Sequence, residues 1–194
     1  QLFFAGHFPP EEQEEKRKFE FPRDEFTYFV RLVKGNGMLA GASVFDNGAV
    51  DLAVTASADF IKLAAREADN VALRAYCEQS TLPVFRSFPM PPTNNDKPSH
   101  ARETPFGTVS AYPADLVEST IGVRLVEEFV NVDKKKGIPF GWSSNTALYT
   151  DCLAAAVFGA SLIEKHLKLS DEDPESLWSL FPGEFADMVR ACGL

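Results

Sequence analysis

The chain has 194 residues, 45% of them hydrophobic, which suits one domain with a sizeable core. Nineteen Lys and Arg stand against 28 Asp and Glu, a formal net charge of −9. That balance argues against a nucleic-acid binder, because nothing makes a broad basic face. No run approaches the roughly 18 apolar residues of a membrane-spanning helix, and no secretory leader pattern is visible. Cys77, Cys152 and Cys192 lie far apart without metal-type spacing, so reduced, buried thiols in a cytoplasmic protein are expected.

In chain order, the charge run Glu11–Lys18 reads as a solvated helix face. Asp24 precedes a helical pattern over Glu25–Lys34 that stops at Gly35 and Gly37. A strand is expected at Met38–Val44, then a helix over Gly48–Ala56 capped by Asn47. Strand Ala58–Ala64 is followed by a helix over Asn70–Gln79 capped by Asp69. Strand Leu82–Phe88 leads into Pro89–Thr104, rich in Pro, Asn and Ser, which reads as a surface loop or lid. Strand Phe106–Ala111 precedes the long helical pattern Ala114–Phe129, with Val117, Ile121, Leu125 and Phe129 on its expected apolar face. Lys134–Lys136 reads as a solvated turn. Strand Ile138–Ser143, helix Thr146–Phe158 closed by Gly159, and strand Ser161–His166 follow. Pro182 opens a last helix through Cys192.

Strands alternating with helices imply parallel pairing and right-handed crossovers. No Gly-rich phosphate loop favours a nucleotide-binding sheet. Polar residues at the ends of many strands favour an α/β (β/α)8 TIM-type barrel, of which about six βα units are present. The chain opens at Gln1-Leu2-Phe3-Phe4 as if an earlier strand were missing, so residues 1–194 are expected to be an N-terminally incomplete barrel domain.

Residues 137–169 carry the most information. An apolar strand ends in Gly141-Trp142-Ser143-Ser144-Asn145-Thr146, a helix follows, and the next strand ends in Glu164-Lys165-His166. This run resembles the N-acetylneuraminate (sialic acid) synthases, whose pattern reads Gly-Tyr-Ser-Asp-His-Thr, a helix, then Ile-Glu-Lys-His-Phe. Further matches fall in order: Ser43-Val44-Phe45-Asp46, Ile61-Lys62-Leu63-Ala64-Ala65 followed by Glu67, Arg86-Ser87-Phe88-Pro89-Met90, Ser110-Ala111-Tyr112-Pro113, Pro174-Glu175, and Ser179-Leu180-x-Pro182-x-Glu184.

The resemblance implies a transferase of carbohydrate biosynthesis. It would condense phosphoenolpyruvate with an N-acyl amino sugar of the N-acetylmannosamine type, giving a nine-carbon 2-keto acid and phosphate. Lys62, Ser43, Ser87, Ser110 and Ser143 would contact phosphoenolpyruvate. A Lys inside an apolar strand is rarely structural, since a buried unpaired ammonium is costly. Glu67, Tyr112, Glu175 and Gln1 would hold the sugar. Bland readings stand beside these: Glu67 paired with Arg66 or Arg74, Tyr112 as a packed ring, Glu175 as a first-turn helix acid. The family's catalytic acid would precede Gln1. Its divalent metal, usually manganese, would fall on His166 and Asn145. An amide is a weaker ligand than imidazole, so metal binding is expected to be weakened or lost. The family's C-terminal antifreeze-like domain would lie beyond Leu194, and Arg102 would stand in for a lost cation. A homodimer is expected. Two alternatives remain: a pseudaminic- or legionaminic-type synthase, or a non-catalytic, regulatory barrel that binds a sugar or phosphate.

Overall fold

In the computed structural model the described residues are 9–18, 20–130 and 138–193. Gln1 and the Lys134–Lys136 triplet lie outside them. The chain divides into two compact units. One comprises the residues through Arg86 together with Ser99–Glu103; the other comprises Ser87–Pro98 and the residues from Thr104 onward.

The first unit begins with α1 (Pro10–Arg17), whose described side chains are largely exposed, as the charge run implies. In α2 (Arg23–Gly35), Phe26 and Val30 are buried and Val33 packs beside them, a spacing of one helical face. Strand β1 (Gly41–Ser43) leads to α3 (Asn47–Thr55), and β2 (Phe60–Leu63) leads to α4 (Val71–Gln79). The caps sit one residue from their expected places. Asp46, not Asn47, accepts from Ala49 N at 2.8 Å, and Asn70, not Asp69, accepts from Leu73 N at 3.1 Å. Two adjacent capping residues compete at each site, and sequence does not decide between them. Strands β1 and β2 pair in parallel, Gly41 with Phe60 and Ser43 with Lys62. The start of β3 (Val84–Pro89) adds to β2. Val44, Ile61, Leu63 and Val84 join the helices in one core.

The second unit contains most of β4 (Glu103–Thr108), then α5 (Leu116–Val130), β5 (Gly141–Ser144), α6 (Thr150–Val157), β6 (Leu162–Leu167), β7 (Ser179–Leu180) and α7 (Pro182–Cys192). Pairing is parallel throughout: Thr108 with Ser143, Ser143 with Glu164, His166 with Ser179. Gly159 and Gly193 close α6 and α7 at φ 85 and 73, the left-handed conformation that glycine takes without strain.

Parallel strands taken in chain order, with helices between most of them, make an α/β fold of the strand–helix repeat type. The described residues hold seven strands where six were expected. The extra strand, β7, has two residues, too few to show a period of two. Strand β4 starts three residues earlier than Phe106. The Pro89–Thr104 segment is correspondingly shorter as a loop, and it is pinned: Asp96 is buried and accepts from Thr93 N at 2.7 Å and Thr93 Oγ1 at 2.8 Å. The apolar face of α5 is also corrected. Val117, Ile121 and Leu125 are exposed, whereas Ser119, Gly122, Val123, Val126 and Val130 are buried. Gly122 decides the matter, because its bare Cα admits the ring of Trp142. Among the described residues no helix is long and apolar enough to cross a membrane.

Candidate functional site

In the first unit, strand alternation turns Ile61 and Leu63 toward the helices and Lys62 to the opposite face. Ser43 lies beside Lys62 in register and shares that face, as do Phe60 and Phe85, whose ring centroids are 4.9 Å apart. Lys62 is buried, at 7% exposure. Burial gives an ammonium reason to meet an anion or several acceptors. Glu67, on the short 3-10 turn after β2, accepts from Asn70 Nδ2 at 2.9 Å and lies 3.7 Å from Arg66 Nε. Arg74 pairs instead with Glu103.

In the second unit, register places Phe106 and Thr108 of β4, Gly141 and Ser143 of β5, Glu164 and His166 of β6, and Ser179 of β7 on one face. Ser87 is buried in β3, two residues before its end. Ser110 does not end a strand. It is exposed, two residues past β4, and Thr108 holds the strand-end position instead. Thr108 Oγ1 donates to Ser143 O at 2.9 Å and accepts from Asn145 Nδ2 at 3.1 Å. The same amide nitrogen donates to Val109 O at 3.0 Å. Asn145 therefore clamps the end of β4 to the loop after β5.

His166 Nδ1 lies 2.8 Å from Glu175 Oε2. That hydrogen bond holds the Glu175 carboxyl below the usual carboxylate range. An ionised carboxylate only accepts, so Nδ1 carries the proton and Nε2 is the nitrogen left for a ligand. The Trp178 ring stands edge-on to His166, centroids 6.3 Å apart, and tilts against Tyr112 at 5.4 Å. Tyr112 is 57% exposed. Of the expected sugar contacts, Tyr112 and Glu175 thus meet around Trp178 and His166.

Sequence reasoning missed the groups behind this face. Lys165 and Ser144 alternate to the helix side of the sheet with Trp142. Lys165 Nζ donates to Ser144 Oγ at 3.0 Å and to Thr146 O. Asp151, fully buried at the start of α6, accepts from Ser144 Oγ at 3.1 Å, Thr146 Oγ1 at 2.9 Å and Trp142 Nε1 at 2.8 Å. Burial pushes the Lys165 ammonium down from its ordinary value. Lys165, like Lys62, is a Lys inside a partly apolar strand, and that pattern is visible in the sequence. Also missed was Glu103, buried with Arg86, Arg74 and Ser99 about it. Arg102, expected to stand in for a lost cation, turns its Nη2 to the end of α4, where it donates to Glu78 O at 3.0 Å and Ser80 O at 2.9 Å. Burial raises the Cys77 and Cys152 thiols to about 12, which suits inert packed groups.

Parallel strands with polar side chains at their carboxyl ends are the arrangement found in α/β proteins of the strand–helix repeat class. The NeuB family profile matches residues 10–193, and the chain belongs to the NeuB family. It is 25% identical over 190 residues to human N-acetylneuraminate-9-phosphate synthase, covering 93% of this chain and 52% of that protein. The mouse protein of the same name matches at the same identity and coverage. The chain thus spans about half the length of these curated relatives. Its fold resembles the sialic acid synthetase of Leptospira borgpetersenii serovar Hardjo-bovis, solved with citrate, at TM-score 0.84 and 19% identity, covering 100% of this chain and 70% of that one. A truncated 3-deoxy-D-arabino-heptulosonate 7-phosphate synthase from Thermotoga maritima follows the same fold at TM-score 0.67 and 15% identity, over 88% of this chain and 70% of that one.

The residues present do not fit a transition-metal centre. His166 is oriented as a ligating imidazole would be. Asn145 is not: its nitrogen is engaged by two oxygen acceptors, which leaves a neutral amide oxygen. A second group, Glu78, His100 and Glu103, offers ligand atoms within 4.8 Å of one another. Its most buried member already faces two guanidinium groups, which disfavour a further cation.

Proposed function

We propose that this chain is the barrel portion of a phosphoenolpyruvate-condensing synthase, joining phosphoenolpyruvate to an N-acyl amino sugar with release of phosphate. The observation that carries the reading is the polar face at the carboxyl ends of β5 and β6, within a chain matched to the NeuB family over residues 10–193. The names of the human and mouse relatives supply the product class, a nine-carbon sialic acid or its 9-phosphate.

In this reading Lys62 neutralises the phosphate or carboxylate of phosphoenolpyruvate, and Ser43, Ser87, Ser110 and Ser143 offer hydroxyl donors to the same class of anion. Tyr112 and Glu175 serve the sugar. Glu175 also fixes His166, so the imidazole presents Nε2 in a set direction. Glu67 is the weakest of the sugar candidates, being engaged by Asn70. No step is assigned to a metal.

The test is phosphate release from phosphoenolpyruvate in the presence of N-acyl amino sugars, with and without a terminal phosphate. Release that depends on one sugar supports the reading, and the identity of that sugar separates the sialic from the pseudaminic or legionaminic type. Lys62→Met is expected to abolish it. The engagement of Asn145 favours a second reading, a barrel that binds sugar or phosphate without turnover. Binding of either ligand with no phosphate release at any sugar decides for that reading.

A further inference from the structure

The loop that carries Ser143 and Asn145 rests on a buried charge network of unusual build. A lysine and an aspartate lie beneath it, 9% and 0% exposed. One hydroxyl stands between them: Lys165 Nζ donates to Ser144 Oγ, and Ser144 Oγ donates onward to Asp151 Oδ1. Thr146 is gripped twice, its carbonyl by Lys165 and its hydroxyl by Asp151. Trp142 Nε1 fills the other carboxylate oxygen. Apart from a long contact from Cys152 Sγ to Asp151 Oδ1 at 3.9 Å, these polar contacts end on residues 142, 144 and 146, one residue to either side of the two on the opposite face. A change at Asp151 or Lys165 must reach Ser143 and Asn145 through the backbone between them.

We propose that Asp151 and Lys165 act as a linked pair of positioning residues, holding the 143–146 segment so that Ser143 faces an anionic ligand while Asn145 keeps its clamp on Thr108 and Val109. This rests on the reading of Ser143 as an anion contact. Neither residue touches the ligand; each acts through Ser144 and Thr146. Two buried charges joined this way depend on one another, because removing either leaves the other beneath the loop without its counter-charge.

The test uses the full chain, its Asp151→Asn and Lys165→Met variants, and the double variant. Amide hydrogen exchange over residues 143–148 is followed at neutral pH. Affinities for inorganic phosphate and phosphoenolpyruvate are measured by calorimetry well below the unfolding temperature. Each single variant is expected to speed exchange in the loop and to weaken binding ~10- to 100-fold, the range a small misplacement produces. The double variant is expected to recover part of the loss. Where a single variant does not fold, Ser144→Ala removes only the bridging hydroxyl and carries the same measurements. If the wild-type chain binds neither ligand, the condensing reading falls, while the exchange data still decide this proposal. Folded variants whose loop exchanges at the wild-type rate overturn it, as does a double variant whose loss equals the product of the two singles.

Discussion

Two buried charge clusters are built on different plans. In the first unit Glu103 meets its cations directly: Arg86 Nε donates to Oε1, and Arg74 Nη2 lies 3.2 and 3.1 Å from the two oxygens. Ser99 adds its backbone N–H at 3.0 Å and its hydroxyl at 2.7 Å. Every lone pair is taken, and the result ties Ser99–Glu103 to β3 and α4. In the second unit Asp151 and Lys165 are joined through the Ser144 hydroxyl, and further contacts go to Thr146 in the loop after β5 and to Trp142 within that strand. A saturated ion cluster secures a fold. The hydroxyl-spaced one holds Ser144 and Thr146, and the positioning role proposed for it acts through them.

The largest effect is expected from breaking the first cluster. Glu103→Ala removes the anion that both arginines meet, and the side chains of Arg86 and Glu103 are 0% and 1% exposed. A loss of ~3–5 kcal/mol is expected in denaturant unfolding. The pH dependence follows with a definite sign. Burial alone would raise the Glu103 carboxyl, but Arg86 and Ser99 outweigh it and hold it below its ordinary value of 4.5. The stability this group contributes is therefore present above pH 4.5 and lost as pH falls through the lower folded value. The gap in unfolding free energy between wild type and Glu103→Gln should narrow on acidification. A gap that stays constant to pH 3 would show that the carboxylate charge is not what binds the cluster.

The next effect concerns a device the two units share. In the first, a Cβ on Gly41 would run into the Phe60 ring; in the second, a Cβ on Gly141 would run into the Phe106 ring. Each strand glycine lies under a phenylalanine from the strand paired with it. Gly107, on the helix side, is closed off by Val126 and Trp142. Alanine at Gly41, Gly141 or Gly107 is expected to cost ~1–3 kcal/mol by overpacking, read as a lowered melting temperature. Gly107→Ala should also disturb Trp142 fluorescence, because it presses on the ring that hydrogen-bonds Asp151. Gly41→Ala should leave that signal unchanged.

What could be read from the amino acids alone follows the range of the forces involved. Period-two runs such as Ile61-Lys62-Leu63 and the polar ends at Ser143 and His166 are local, and they announced β2, β5 and β6. Gly159 and Gly193 marked helix ends for the same reason. The face of α5 was not legible, because Val117, Ile121 and Leu125 are as apolar as Val123, Val126 and Val130. Only the fit of Trp142 against Gly122 chooses between them. Pairings across long separations left no local trace. Glu103 stands 17 residues from Arg86 and 29 from Arg74, and Lys165 stands 21 from Ser144. The role of Asn145 left no local trace either: its departure from the family's His says nothing of an amide that binds Thr108 and Val109.

The smallest effect on stability, and the sharpest contrast with Glu103, is expected at Glu175. Its partner His166 is 25% exposed and Glu175 itself 49%, so solvent screens the pair. Glu175→Gln should change unfolding by under ~1 kcal/mol. The chemistry should respond more. A glutamine amide can donate or accept, so it no longer dictates that Nδ1 carries the proton, and the direction and tautomer of His166 are released. The imidazole 15N signals of His166 should then shift toward a tautomer mixture while the melting temperature holds, and any sugar-dependent phosphate release should fall. Glu175→Gln that unfolds the chain as Glu103→Ala does would place this pair with the structural clusters. Unchanged 15N signals would show that Glu175 does not set the imidazole at all.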